Sequence, residues 1–147
     1  MASRPQHLSA DARRAVTVQA VVALAAAGNP SAITTADIAA RMGVTQGALF
    51  RHFPNKEAVW QAVMEWVRDH LLARLDLAVA GVDSPLSALE ALFLAHIEFV
   101  CEFPGVPRMI FGELQHPQPT PAKQVVRELL QQYRGRVQGL LERARDN

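Results

Sequence analysis

The sequence predicts an all-α protein, and three observations predict it. Apolar residues recur with a 3.6-residue period along nearly the whole chain, no stretch alternates apolar and polar residues for long, and Gly or Pro breaks the periodic runs at helical lengths. With 147 residues, half of them apolar and a fifth charged, the chain can bury a core as one unit or two small ones.

A first helix is expected from Ser9 or Ala10, with Ser9 as N-cap and Asp11 in the first turn, to the stop at Gly28-Asn29-Pro30. Its expected inner face is Val16, Ala20, Ala23, Leu24 and Ala27. Thr34-Thr35-Ala36-Asp37 reads as a capping box for a short second helix that ends at Gly43. A third covers Thr45 to His52. Asn55 caps a long fourth helix from Lys56 to about Ala80, with Val59, Val63, Trp66, Val67, Leu71, Leu75 and Ala78 inward and Gly81 as its end. Ser84-Pro85 opens a fifth, Ser as cap and Pro at the first helical position, running through Leu86, Leu89, Phe93, His96, Ile97 and Val100. After Pro104-Gly105 there is room for a short sixth helix at Val106–Leu114, and Thr120-Pro121 starts a last one.

Composition excludes several classes. The single Cys101 rules out an intrachain disulfide and leaves no CxxC pair for zinc, so no metal and no cofactor is expected. The longest apolar runs are too short to span a bilayer and the start carries no secretory pattern, so the expectation is a cytoplasmic protein with no membrane partner. Charge is uneven: residues 1–56 hold Arg4, Arg13, Arg14, Arg41, Arg51 and Lys56 against Asp11 and Asp37, a surplus of four positive charges, while the remainder is net negative. An anionic partner belongs to the N-terminal part, and nucleic acid is the obvious one.

Two short helices about Gly43 make a helix-turn-helix candidate, with Ile38, Ala39, Val44 and Leu49 packing the pair against the first helix. The stretch ITTADIAARMGVTQGALFRHFPNKEAVW resembles the DNA-binding segment of the tetracycline-repressor (TetR-type) family of transcriptional regulators, and the resemblance extends over residues 10–66. It implies a helix-turn-helix DNA-binding domain at 1–55, an effector-binding and dimerisation domain at 56–147, and a homodimer that places the third helix in the major groove of a palindromic operator. A small molecule bound by the C-terminal helices would release the repressor.

Each position of the segment is suited to that role and also has a plainer explanation. Thr45 and Gln46 open the third helix, where Gln can pair with adenine and Thr can meet a thymine methyl; as surface residues they need no explanation. Gly47 weakens the helix by about 1 kcal/mol against Ala, either as mere tolerance or to let the backbone approach DNA. Arg51 suits a phosphate or a guanine edge, and His52 resembles the family's phosphate-contacting His or Tyr, though both could be solvated or locally bonded. Phe50 stands where Tyr is commoner and has no hydroxyl to donate, which points to packing or an apolar base contact. Lys56 opposes the macrodipole at a helix start, a conflict a docked phosphate would remove; the same anion geometry holds at Thr34 and Thr35 on the second helix.

In the C-terminal part, Phe93, His96, Phe99, Phe103, Met109 and Phe111 are the ligand-binding candidates. Such a stripe is more often plain core than pocket, and the resemblance tips it modestly toward a cavity for an unknown small-molecule effector. His96 and Cys101 are badly spaced for a shared metal. No triad, phosphate loop or zincin pattern supports an enzyme. Family members usually continue with two more helices that form the dimer interface, so the expectation is a truncated chain, or dimerisation through another surface such as the exposed side of the last helix. The alternative from another class is a helical interaction or carrier module that keeps the helix-turn-helix only as scaffold.

Overall fold

The computed structural model describes residues 8–146; Arg4, counted above among the basic residues, and the terminal Asn147 lie outside them. Among the described residues seven α-helices follow one another: α1 (Ala10–Ala27), α2 (Thr35–Met42), α3 (Gln46–Phe50), α4 (Lys56–Val79), α5 (Pro85–Glu102), α6 (Val106–Gln115) and α7 (Pro121–Arg145). A 3-10 turn, Pro30–Ala32, separates α1 from α2, and the described residues contain no strand. None of these helices is long and apolar enough to cross a membrane.

Local signals set the boundaries. Ser9, Thr34, Thr45, Asn55, Ser84 and Thr120 each accept a hydrogen bond from a backbone N–H of the helix they precede. Gly43 ends α2 in the left-handed region, at φ 68°, which a side chain rarely tolerates. α3 is shorter than expected, with Arg51 as its C-cap, and α4 stops at Val79, two residues before Gly81.

α1, α2 and α3 form one small packed unit, in which Ile38, Ala39 and Leu49 are buried and Val44 is partly buried, as the pattern predicts. α4 is shared: its first half packs on α1 and its length packs on α5 and α7. Val59, Val63, Val67, Leu71 and Leu75 are buried along it, while Trp66 and Ala78 are only partly covered. Ion pairs on the rim tie α4 to α7, with Arg136 gripping Asp76 through two bonds of 2.7 and 2.8 Å and Arg68 reaching Glu128 at 3.1 Å.

Two helix faces differ from expectation. In α1 the buried residues are Val18, Val21, Val22 and Ala25 with Thr17 and Ala20, whereas Val16 and Ala27 are exposed. In α5 the inner line is Ala88, Leu92, Ala95 and Phe99, which leaves Leu86, Phe93 and Ile97 on the outside. Both helices are apolar nearly all round, so a 3.6-residue period fits more than one face and tertiary packing selects between them.

Candidate nucleic-acid interface

The N-terminal turn of α2 is fastened by a reciprocal pair: the Thr34 N–H donates to Asp37 Oδ2 at 2.9 Å and the Asp37 N–H donates to Thr34 Oγ1 at 3.1 Å. Hydrogen bonding to its carboxyl from the Thr34 backbone N–H and then the Thr34 side chain, with the Lys56 charge nearby, holds the Asp37 carboxyl below the usual carboxylate range. Thr34 is exposed and Thr35 half-buried, and the α2 N-terminus presents its first N–H groups to solvent.

α3 is anchored from one side. Leu49 is buried and Thr45 Oγ1 accepts the Ala48 N–H at 3.1 Å, so Gln46, Gly47 and Phe50 are left exposed on the other side. Gly47 has ordinary helical backbone, and a Cβ built on it meets nothing nearer than Thr45 Oγ1 at 3.9 Å. The fold therefore has room for a side chain at Gly47 and does not require glycine there. Arg51 and His52, just past α3, are both exposed, with Phe53 buried behind them.

Lys56 is exposed at the first position of α4, and its ammonium lies 4.8 Å from the ring centroid of Trp60, one turn on. The Trp60 ring face thus gives the cation at the helix start a partner within the fold, beside the anion that the sequence reading expects there. Arg14 is partly used within the fold: it pairs with Glu65 of α4 at 2.7 Å and lies over the Phe53 ring. The basic side chains left exposed in this half include Arg41, Arg51 and Lys56.

The six ligand candidates are divided among several places. Phe99 and Phe103 join Trp66 in an aromatic cluster, with centroids 5.0 Å apart between the two Phe rings, and Arg74 lies over both. They fill the space between α4 and α5. His96 meets the Tyr133 hydroxyl at 2.7 Å, and burial pushes the His96 pKa down and that of Tyr133 up. Phe93 lies on the outer surface of α5. Only Met109 and Phe111 border a cleft, of about 690 Å³, whose other walls include Lys56, Trp60, Arg108 and His116. A second depression of about 320 Å³, between α4, α5 and α7, touches none of the six. The pattern missed Trp60, Arg108 and His116 because they come from three separate segments that share no period.

Residues 18–63 match the model of the bacterial regulatory proteins of the tetR family. The nucleoid occlusion factor SlmA of Idiomarina loihiensis is 34% identical over 101 residues, which cover 69% of this chain and 52% of that protein. The protein of the same name from Sodalis glossinidius is 35% identical over 80 residues, 54% of this chain and 40% of its own length. The chain thus spans about half the length of the curated relatives it matches. A crystal structure of a tetR family transcription regulator from Shewanella sp. PV-4 superposes with a TM-score of 0.68 at 21% identity, covering 91% of this chain and 70% of that one, and so shares the fold. With the helix-turn-helix built as described and its segment matched by the family model, the chain belongs to the tetR family of bacterial regulatory proteins.

Proposed function

We propose that the chain is a DNA-binding transcriptional regulator, and most specifically a repressor that binds a palindromic operator as a homodimer and is released by a small molecule. The observation that carries it is the α3 surface: Gln46 and Gly47 are exposed, Gly47 is not needed by the fold, and Arg51, His52 and Lys56 stand exposed after it in the chain. In this reading Thr45 and Gln46 read base edges, Gly47 admits the backbone to the groove, and Thr34, Thr35, Arg51, His52 and Lys56 hold phosphates. Residues 1–55 act as the DNA-binding part and 56–147 as the effector and dimerisation part. Leu86, Phe93, Leu94 and Ile97 on α5 and Leu130 and Leu141 on α7 are exposed apolar surface on which copies can meet.

The test is selection of binding sites from random duplexes, followed by titration of the selected site at several salt concentrations. The expected result is an inverted-repeat site bound with steeply salt-dependent affinity. A dimeric sample that fails to bind any duplex at low salt overturns the proposal and favours the scaffold alternative.

A second reading has its own support. The identity with the Idiomarina protein runs over 101 residues, well beyond the 18–63 segment, and that protein is named a nucleoid occlusion factor. If this chain shares that role, duplex binding persists whatever small molecule is added, and in cells the protein follows the nucleoid rather than one promoter.

A further inference from the structure

The cleft of about 690 Å³ lies where the two halves of the chain meet, and its size suits a small molecule. One wall is formed by Pro30 of the 3-10 turn and by the start of α4, with Lys56 and Trp60, just where the DNA-binding part passes into the second part. The facing wall belongs to α6 and the turn after it, with Arg108, Met109, Phe111 and His116. Trp60, Met109 and Phe111 make an aromatic and thioether lining, and the two walls carry one cation each. Arg108 spends one nitrogen on the Ala25 carbonyl at 3.0 Å, which leaves its other N–H groups for a further acceptor. Two carboxylates also line the cleft, Glu57 beside Lys56 and Glu113, which already accepts the Thr120 hydroxyl at 3.0 Å.

We propose that this cleft is the effector site and that it takes an aromatic carboxylate, its ring between Trp60, Met109 and Phe111 and its acid group held by Lys56 and Arg108. The proposal rests on the reading of the chain as an effector-responsive DNA-binding regulator. An anion is favoured over a cation at the Trp60 side, because a cationic ligand there would meet the Lys56 ammonium on the ring and the free N–H groups of Arg108, whereas of the two lining carboxylates Glu113 is taken by Thr120 and Glu57 is left to balance one cation. A carboxylate pairs with both, bidentately with the guanidinium. Regulation comes from the shared residue: a carboxylate that engages Lys56 takes that ammonium from the DNA phosphate, and the bound ring wedges the start of α4 away from α6.

The test uses the full chain, nitrogen-15 labelled, with the indole N–H signals of Trp60 and Trp66 assigned through Trp66→Phe. Three probes share one ring system and differ in charge: 2-naphthoate, 2-naphthamide and 2-naphthylmethylammonium. The expected result is that 2-naphthoate moves the Trp60 signal, leaves Trp66 in place and weakens binding of the selected duplex about tenfold. Phe111→Glu, at a position 62% exposed and so compatible with folding, is expected to abolish the Trp60 response by setting a negative charge beside the acid group. Equal shifts from the amide or the ammonium probe, movement of Trp66 alone, or an undiminished response in Phe111→Glu overturn the proposal. So does a Trp60 shift with unchanged duplex affinity. Failure of the probe-free protein to bind any duplex overturns the regulator reading instead, and the Trp60 shift is read independently of it.

Discussion

Gly47 separates what the fold needs from what DNA contact needs. Helical backbone and the open space around it mean that Gly47→Ala removes the entropic cost of glycine without a clash, so the variant should be more stable by up to about 1 kcal/mol. The same methyl group would stand on the exposed side of α3, where the groove is proposed to come close, so duplex affinity should fall. Urea unfolding and duplex titration of one preparation measure both, and a variant that gains stability at unchanged affinity removes Gly47 from the interface. At this scale the sequence was most legible: Ser9, Thr34, Asn55 and Ser84 cap as read, because a cap is a bond between residues three apart and needs no tertiary information. The Trp60 partner of Lys56 was not legible, because it becomes visible only once the helix turn places the ring beside the ammonium.

Between elements, legibility falls where a helix is apolar on every side. In α4 the line Val59, Val63, Val67, Leu71 and Leu75 is buried as read, whereas α1 and α5 carry apolar residues on both their buried and their exposed sides, so charged residues such as Arg14, Glu90 and Glu98 do not by themselves select the face. Contacts between helices also depend on backbone approach, which side-chain pattern does not encode. Gly105, at the entrance to α6, sits directly on α1: a Cβ there would lie 2.4 Å from the Ala25 carbonyl carbon and 2.5 Å from its oxygen. Gly105→Ala must push α6 off α1, and a loss of about 1–3 kcal/mol is expected in denaturant unfolding. A midpoint equal to that of the unsubstituted chain would show that this joint yields without cost. The α5–α7 contact carries a pH dependence. Burial lowers the His96 pKa from its ordinary 6.5, so the unfolded chain binds more protons than the folded one below that value. The linked stability is complete above about pH 6.5 and is lost as pH falls toward the lowered folded-state value. His96→Gln should flatten this part of the stability profile, measured by thermal unfolding between about pH 7.5 and pH 5.

For the whole molecule, the helix-turn-helix could be located from sequence because cap, turn glycine and buried Leu all fall within one short segment. The C-terminal candidates could not be resolved in the same way. Phe93, Phe99 and Phe111 look alike in sequence, yet one lies outside, one fills the core and one borders the cleft, since a cavity is a property of how helices pack. The uneven charge is likewise a whole-molecule property, and it sets up two distinguishable effects on DNA. A cation that holds a phosphate releases a counterion, so its removal lowers affinity for every sequence and reduces the salt slope by about one unit per contact. A residue that reads a base edge leaves the slope alone and changes the ranking of sequences, at about 1–3 kcal/mol per pair. Lys56→Ala should therefore weaken selected and random duplexes alike with a shallower slope, and Lys56→Arg should restore the slope because the charge returns. Gln46→Ala should bring selected and random duplexes closer in affinity with the slope intact. Salt titrations of three variants on two duplexes contain the comparison. If Lys56→Ala keeps the full slope, the ammonium serves only the Trp60 ring and the cleft, and the phosphate contact is lost from the interface.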